Sequence, residues 1–377
     1  MKAEEVVKAA HAAWCDTATN HDAGEGWNDA PTLAYTVFAL QHAHENSKLK
    51  KIALRLLSRV QSTDDAEHPR FAPLQAAAKA MSDALGPTLM EYRRQNDLCA
   101  LLAPIKFEGS DGHLTQKGKL AFFDEPIPEE IHKRDWFEGN AHLAILINLI
   151  CHYIGDEFVR RVGLLAHESK SKLKAAPHKS FQRMRTKAFN KGADYAGYEY
   201  AHPKSQYIKD PLRASLAAKD PAGQLKDWAA LQQSDDFKVV GLKNTFAMDE
   251  AEAREATNGM MQILVNVEYK ARDKDGEPLT FGKMVADKEG FLKAVEACKA
   301  QTSSNPRSKL LMAVGVCAEF LKRPELAERP IELLAEVQLH LDYYVEQRKQ
   351  THLWFKVLRA TDLLALKLDC IPYRDAE

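Results

Sequence analysis

The sequence contains few cysteines, and they form no recognisable metal-binding or disulfide pattern. Its 377 residues include six cysteines, none of which forms a CxxC pair. Closely spaced cysteine pairs are typical of zinc ribbons, and dense cysteine frameworks are typical of small secreted domains. Their absence favours buried, reduced thiols in a reducing compartment. We therefore expect a cytoplasmic protein, with an organellar matrix as the alternative.

Long hydrophobic runs are absent as well. The most apolar stretch, residues 143–154, is interrupted by Asn148 and His152. It is shorter than the roughly 20 apolar residues that a membrane-spanning helix needs. The first residues, MKAEEVVKAAHAAW, carry early acidic residues instead of a signal peptide's apolar run. The sequence therefore predicts a buried helix at 143–154 and no membrane association.

The chain also lacks an excess of charge of either sign. Its 52 Lys and Arg residues balance 53 Asp and Glu residues, which gives a formal net charge of -1. This balance excludes bulk binding to polyanions of the kind that histones show. Hydrophobic residues make up 45% of the chain, which is enough for a buried core, and the length suggests two or three domains.

The two halves of the chain differ in pattern. Residues 1–157 have helical spacing of apolar residues, which predicts an all-helical N-terminal domain that regulates the second domain or binds a protein partner. Residues 158–377 contain four strand-like runs separated by helical stretches, which predicts an α/β or α+β domain with a mixed sheet. The strand-like runs are 212–217, 237–242, 263–269 and 333–341. Helical patterning between the last two runs predicts a helical insertion at about 281–331.

Positive charge is concentrated in one part of the sequence. From Arg160 to Lys191 there are ten Lys or Arg residues and one acidic residue, Glu168, so this stretch carries about +9. Such a run is typical of a solvated helix face. The alternative is a phosphate-binding surface, because arginine forks and lysine charges are the groups that bind polyphosphates.

Two segments combine carboxylates with strand-like patterns. In AEVQLHL (335–341) the side chains of Glu336, Gln338 and His340 share one face of a strand and the apolar residues share the other. In YIKDPLRASLAA (207–218), Asp210 precedes a strand and Arg213 follows three residues later. Asp210 and Glu336 on neighbouring strands could bind Mg²⁺ through hard oxygen ligands. A polar face on an edge strand and a salt-bridged or capping aspartate are the structural alternatives.

Together these segments resemble the RelA/SpoT family of alarmone synthetases, within the nucleotidyltransferase superfamily. The resemblance extends over roughly residues 170–360 and involves six segments in the family's order. They are APHKSFQRMRTKA (176–188), IKDPLRAS (208–215), FKVVGLKNTF (237–246), NGMMQILVNV (258–267), AEVQLHL (335–341) and HLWFK (352–356).

The resemblance implies a nucleotidyltransferase-like fold and transfer of pyrophosphate from ATP to the 3′-hydroxyl of a guanosine nucleotide. Asp210 and Glu336 would be the catalytic, Mg²⁺-binding residues, and the other candidates would bind the nucleotides and their phosphates. Lys179, Arg183 and Lys187 would contact the donor phosphates, Lys243 would neutralise charge on the transferred group, and Gln338 and His340 would line the acceptor side. The remaining nucleotide-binding or phosphate-binding candidates are Arg213, His352 and Lys356.

The sequence departs from the family pattern mainly on the acceptor side. Met260 stands where the family has the tyrosine that stacks on guanine, and His340 stands where it has an arginine. Methionine offers neither a rigid ring nor a hydroxyl group. These departures allow two hypotheses. One is a transferase with an altered acceptor, such as another nucleotide or an RNA 3′ end. The other is a catalytically silent member that acts as a nucleotide sensor or as a scaffold in a larger assembly.

Overall fold

The computed structural model describes residues 71–109, 115–116, 136–189, 203–257, 259–302, 309–348 and 358. The chain forms two compact units, one of residues 92–345 and the other of residues 1–91 with 346–377. The described part of the latter is mainly one helix. The expected boundary at 157/158 falls inside a helix that continues from Trp136 to Leu165. Most of the expected N-terminal helical domain lies outside the described residues.

From the first to the fourth strand, the described strands alternate with α-helices; three α-helices precede the first strand, and three more separate the fourth from the fifth. The α-helices are α1 (Phe71–Gln95), α2 (Leu98–Leu102), α3 (Trp136–Leu165), α4 (Phe181–Phe189), α5 (Pro221–Gln232), α6 (Glu250–Thr257), α7 (Phe281–Ala286), α8 (Lys288–Thr302) and α9 (Lys309–Phe320). The strands are β1 (Lys172–Ala175), β2 (Arg213–Ala218), β3 (Phe237–Asn244), β4 (Ile263–Lys270) and β5 (Glu332–Leu341). Short 3₁₀ helices occupy Lys204–Tyr207, Thr245–Ala247 and Pro324–Leu326.

The five strands form one mixed sheet in the order β1-β2-β5-β4-β3. β2 and β5 are parallel, and the other three pairings are antiparallel. The mixed α/β class predicted from the sequence is therefore confirmed, and all four predicted strands are present. β1 was not predicted, because KLKA is short and half of its residues are charged.

Helices α3 and α5 cover the apolar face of this sheet. Phe158 of α3 packs edge-on against Tyr269 of β4, with ring centroids 5.1 Å apart. On α5, Gly223 lies so close to β2 that an added Cβ would be 3.3 Å from Ala218. Asp220 caps α5 by accepting a hydrogen bond from the Gly223 N–H at 2.8 Å. The opposite face of the sheet carries the polar side chains.

Helix α3 is the most apolar element. Residues 141–165 are long and apolar enough to cross a membrane by length and composition alone. However, Leu143, Ile147 and Ile150 are 0% exposed within the unit, where α8 and α9 pack against the helix. The structure therefore agrees with the prediction of a buried helix, and α3 is the central core helix of residues 92–345.

Three helices, α7 to α9, lie between β4 and β5, where the sequence predicts a helical insertion. The Asp275-Gly276 turn begins this region, and Gly276 has a φ of +84°, which glycine adopts without steric cost. Because α8 and α9 pack on α3, the insertion contributes directly to the hydrophobic core.

Candidate functional site

A row of polar side chains lies on β5, the middle strand of the sheet. Glu336 and Gln338 are half-exposed and His340 is 4% exposed, whereas the alternating residues Val337 and Leu339 are fully buried. The alternative of an edge strand with a solvated face does not hold, because β5 pairs with β2 on one side and with β4 on the other. A polar row on a central strand needs partners or a ligand.

The strand register extends this polar row across the sheet. Glu336 lies between Arg213 of β2 and Asn266 of β4. Since directly paired residues point to the same side of a sheet, these three side chains share the polar face.

One step along β5, Gln338 lies between Ser215 of β2 and Leu264 of β4, and Leu264 pairs with Lys243 of β3. Lys243 is therefore on the same face as Gln338 but two strands away, at about 10 Å.

Hydrogen bonds fix the orientation of the Gln338 amide. Its Nε2 donates to Glu336 Oε1 at 2.5 Å, and its Oε1 accepts from Ser215 Oγ at 3.1 Å. His340 Nε2 lies 3.3 Å from the same Gln338 oxygen. Because that oxygen can only accept, His340 Nε2 is the donor in this hydrogen bond. Glu336 thus belongs to a hydrogen-bonded network of four side chains that is centred on Gln338.

Asp210, in the loop before β2, is surrounded by basic groups. Lys179 Nζ forms an ion pair with Asp210 Oδ1, and Lys187 Nζ lies 3.6 Å from Asp210 Oδ2. The Lys179 residue is 3% exposed. Its main-chain N–H donates to Pro211 O at 2.8 Å, and its carbonyl accepts from Asn148 Nδ2 at 3.0 Å. The lysine is therefore anchored to the strand loop on one side and to α3 on the other.

Helix α4 explains how two lysines reach one carboxylate. Ser180 precedes the helix, and its Oγ accepts a hydrogen bond from the Arg183 N–H at 3.2 Å. Arg183 and Lys187 are four residues apart, so they share one side of the helix, and Lys179 lies in the loop just before it. Lys179 and Lys187 contact Asp210, whereas Arg183 is half-exposed farther along the same side.

The two carboxylates have pKa values shifted in opposite directions. Burial would raise the pKa of Asp210, but Lys179 and Lys187 outweigh it and hold that pKa at about 2. Burial and the negative charge of Asp210 raise the pKa of Glu336, against the hydrogen bond from Gln338. Burial, together with the Lys187 and Arg213 charges, lowers the pKa of Lys179 to about 7, although Asp210 opposes this shift. The two acids are thus close enough to repel each other.

Arg213 has a buried N–H group that makes no hydrogen bond with the described residues. Its Nε is buried and has no hydrogen-bond partner among the residues that the structure describes. The Arg213 charge lowers the pKa values of Asp210, Lys179 and Glu336, so the guanidinium lies within electrostatic range of all three. A buried donor without a partner is costly unless a ligand accepts its hydrogen bond.

The carboxylate pair fits Mg²⁺ as an incomplete ligand set. Magnesium is commonly bound by one or two carboxylates, with water and substrate phosphates in the other positions. Asp210 and Glu336 supply such a pair, and their mutual repulsion would be relieved by a cation. In the described part of the chain no group of three His, Cys, Asp or Glu side chains is arranged to hold a metal ion.

The structure thus brings together Asp210, Glu336, Lys179, Lys187 and Arg213, which we call the acid–base cluster. Gln338 and His340 adjoin it along β5, whereas Lys243 is two strands from Gln338. His352 and Lys356 lie outside the described residues. Sequence reasoning missed Ser215 and Asn266, although the alternation within RASLAA and ILVNV places both on the polar face.

The rest of the basic stretch is dispersed. Arg161 pairs with Glu157 at 2.6 Å and with Asp236 at 3.2 Å. Lys172 pairs with Asp342 at 2.5 Å. Part of the +9 stretch is therefore neutralised within the protein, and its members nearest Asp210 are Lys179 and Lys187.

No protein-family model, no curated protein and no solved structure matches this chain.

Proposed function

We propose that the chain is a RelA/SpoT-like transferase with a nucleotidyltransferase-like domain, which moves pyrophosphate from ATP to a nucleotide hydroxyl in the cytoplasm. The observation that carries the proposal is the acid–base cluster, which lies where the start of β2 pairs with the middle of the parallel strand β5. Phosphoryl-type transfer depends mainly on positioning and on charge stabilisation, and this cluster supplies both kinds of group.

The donor triphosphate would bind to the basic members of the cluster. Arg213 has a buried Nε ready to donate to a phosphate oxygen, and Lys187 is partly exposed beside Asp210. A polyphosphate beside Lys179 would raise its pKa from about 7 and keep it protonated. Arg183 and Lys243 would contact the phosphates from the edges of the site.

Asp210 and Glu336 would hold Mg²⁺, which supplies charge neutralisation on the triphosphate when it is bound. Glu336 is also suited to act as the general base, because its pKa is raised and therefore lies closer to neutral pH than that of an ordinary glutamate. In the proposed step, the acceptor oxygen bonds to the β-phosphorus of ATP while the bond between that phosphorus and the α-bridging oxygen breaks. AMP leaves, and the acceptor proton passes to Glu336 directly or through one water.

The acceptor would lie along the polar face of β5, against Gln338 and His340. Ser215 and Asn266 add hydroxyl and amide groups to this face. Met260 is 8% exposed, so it offers little surface for stacking on a base. We infer an acceptor read mainly by hydrogen bonds, either a guanosine nucleotide or an RNA 3′ end.

One observation favours a second candidate, a catalytically silent nucleotide sensor or scaffold. Both Asp210 oxygens already have lysine partners, as they would in a purely structural ion pair. A silent protein would keep this pair for stability alone.

The test is transfer of label from γ-labelled ATP, with Mg²⁺ and a panel of acceptors that includes GDP, GTP, other nucleotides and tRNA. We expect Asp210→Asn and Glu336→Gln to reduce transfer by roughly 100-fold or more, because each removes charge from the reacting centre. Glu296→Gln, on the exposed surface of α8, is the matched control and should retain wild-type activity. Failure of transfer to every acceptor, combined with no calorimetric binding of Mg-ATP, would favour the silent scaffold.

A further inference from the structure

Two histidines outside the acid–base cluster meet beside a cavity of about 1170 Å³. His152 lies on α3, and His178 lies in the loop before α4. Their Nε2 atoms are 3.2 Å apart, and their rings are nearly perpendicular, with an interplanar angle of 78°. Both side chains are half-exposed and line the cavity.

We propose that His152 and His178 bind a divalent transition-metal ion of the zinc class. Two imidazoles that bind zinc at 2.0–2.1 Å in tetrahedral geometry place their nitrogens about 3.3 Å apart. The observed separation of 3.2 Å is close to that value. Imidazole nitrogen suits zinc, nickel and copper, whereas Mg²⁺ prefers oxygen. This site is therefore distinct in chemistry from the carboxylate pair and does not depend on the proposed transferase.

The surroundings keep both imidazoles neutral, as metal binding requires. Burial and the neighbouring His178 lower the pKa of His152 to about 4, although a hydrogen bond with Gln301 opposes the shift. Burial also lowers the pKa of His178, against the charge of Asp156. Neither ring therefore has to lose a net proton at pH 7, although the proton shared between the two Nε2 atoms must move to an Nδ1 atom before both Nε2 atoms bind the ion.

A side-chain hydrogen bond from a neighbouring helix orients the His152 ring. The Gln301 side chain that hydrogen-bonds His152 lies 3.4 Å from Asn148 Nδ2. Such a side-chain hydrogen bond is typical of the contacts that orient metal-binding histidines. The absence of a side chain at Gly155 leaves space beside His178 Nδ1, which would be 3.9 Å from an added Cβ.

Asp156 and water would complete the coordination. Asp156 is one helical turn after His152, is exposed, and lines the same cavity. No set of three potential ligands is already gathered at one point among the described residues, so Asp156 must change rotamer to reach the ion. The imidazole rings must also open from their centroid separation of 4.0 Å, because ligated rings diverge from the metal. The adjoining cavity leaves room for that movement.

The test is calorimetric titration of the full chain with Zn²⁺. We expect His152→Ala and His178→Ala each to lose one zinc equivalent or to weaken its binding at least ~10-fold. His167→Ala, which changes an exposed histidine of the same unit, is the matched control and should bind zinc as the wild type does. If both variants bind zinc with the wild-type stoichiometry and affinity, the proposal is wrong, and the two histidines form only a hydrogen bond between neutral rings.

A second measurement does not depend on the variants folding. Crystals of the wild-type protein soaked in Zn²⁺ should show an anomalous scattering peak within bonding distance of both Nε2 atoms. Absence of that peak at a zinc concentration that saturates the calorimetric titration would overturn the proposal. His178→Gln, which keeps a polar side chain of similar length, should fold as the wild type does by circular dichroism and still lack the site.

Discussion

Asp210 and Glu336 are neighbouring carboxylates that affect stability in opposite ways. Asp210 is stabilised in its charged form by Lys179 and Lys187, whereas Glu336 is destabilised in its charged form by burial and by Asp210. Groups arranged for chemistry often carry such a cost in stability. Comparing the stability of Asp210 and Glu336 variants can therefore show which of the two acids stabilises the folded protein and which one destabilises it.

At pH 7 we expect Asp210→Asn to lower the free energy of unfolding by about 3 kcal/mol, because it leaves the buried Lys179 without its counter-charge. In contrast, Glu336→Gln should raise it by about 1 kcal/mol, because it removes the repulsion between the two acids. Urea denaturation of both variants measures the two effects. Destabilisation by Glu336→Gln would contradict this account of the site.

The pH dependence has opposite signs for the two acids. The folded-state pKa of Asp210 is below its ordinary value of 3.8, so its stabilisation is full above pH 3.8 and is lost as the pH falls toward about 2. The folded-state pKa of Glu336 is raised, so its contribution is present below its ordinary value of 4.5 and is lost as the pH rises through the folded value. The wild-type protein should thus lose more stability than Asp210→Asn between pH 4 and pH 2.

The sequence predicted the residues of the cluster better than it predicted their partners. Asp210 and Glu336 were placed on neighbouring strands, and the parallel register of β2 and β5 agrees with that arrangement. The pairing of Lys179 and Lys187 with Asp210 was not predicted. Lys187 lies on α4 and Lys179 lies in the loop before it, but the carboxylate that they contact depends on how α4 and this loop pack beside the β2 loop.

At the end of β3, Asn244 stabilises the fold, and the preceding residue, Lys243, is a candidate for phosphate binding. Asn244 is 9% exposed, and its Nδ2 donates to Leu102 O at 2.7 Å and to Ile105 O at 3.1 Å. Its Oδ1 accepts from the Phe246 N–H at 3.0 Å. Lys243, the preceding residue, is exposed on the polar face of the sheet. The asparagine thus fastens the strand end to α2 and its following turn.

Asn244→Ala should lower the free energy of unfolding by about 2 kcal/mol, because two buried carbonyl groups and one N–H lose their partner. Lys243→Ala should change stability by less than about 0.5 kcal/mol, because the side chain is exposed. If the proposed function is correct, Lys243→Ala should nevertheless weaken Mg-ATP binding. Thermal denaturation and calorimetry of the two variants measure these effects, and equal destabilisation by both would contradict the assignment.

The strands could be predicted from the sequence, but their order could not. Alternation of apolar and polar residues marks β2, β4 and β5, since each has one face on the helices and one polar face. Nothing in AEVQLHL shows that β5 is central, because its neighbours are distant in sequence. The same limitation explains why Ser215 and Asn266 were not recognised as neighbours of the site.

For the whole molecule, the core around α3 contains three cysteines, Cys151, Cys298 and Cys317, from three different helices. Burial raises the pKa of each thiol, that of Cys298 to about 12. Thiolates are the reactive form, so these groups should be inert while the core is closed.

We expect iodoacetamide to leave the three buried cysteines unmodified in the native protein and to modify all of them in denaturant. Cys99, which is half-exposed, is the internal reference and should react first. Mass spectrometry of the peptides measures each site separately. Rapid native modification of Cys298 or Cys317 would show that α8 and α9 open from α3 without global unfolding.

The position of β5 has a consequence for how the chain folds. β5 is the last strand of the described sheet in sequence and the middle one in space, joining β1–β2 to β4–β3. Its parallel pairing with β2 spans residues 219–331, and contacts between such distant segments form slowly. Before β5 pairs, the two halves of the sheet are separate ribbons, and Asp210 and Glu336 are apart. During synthesis, the acid–base cluster can therefore be completed only after residue 341 has left the ribosome.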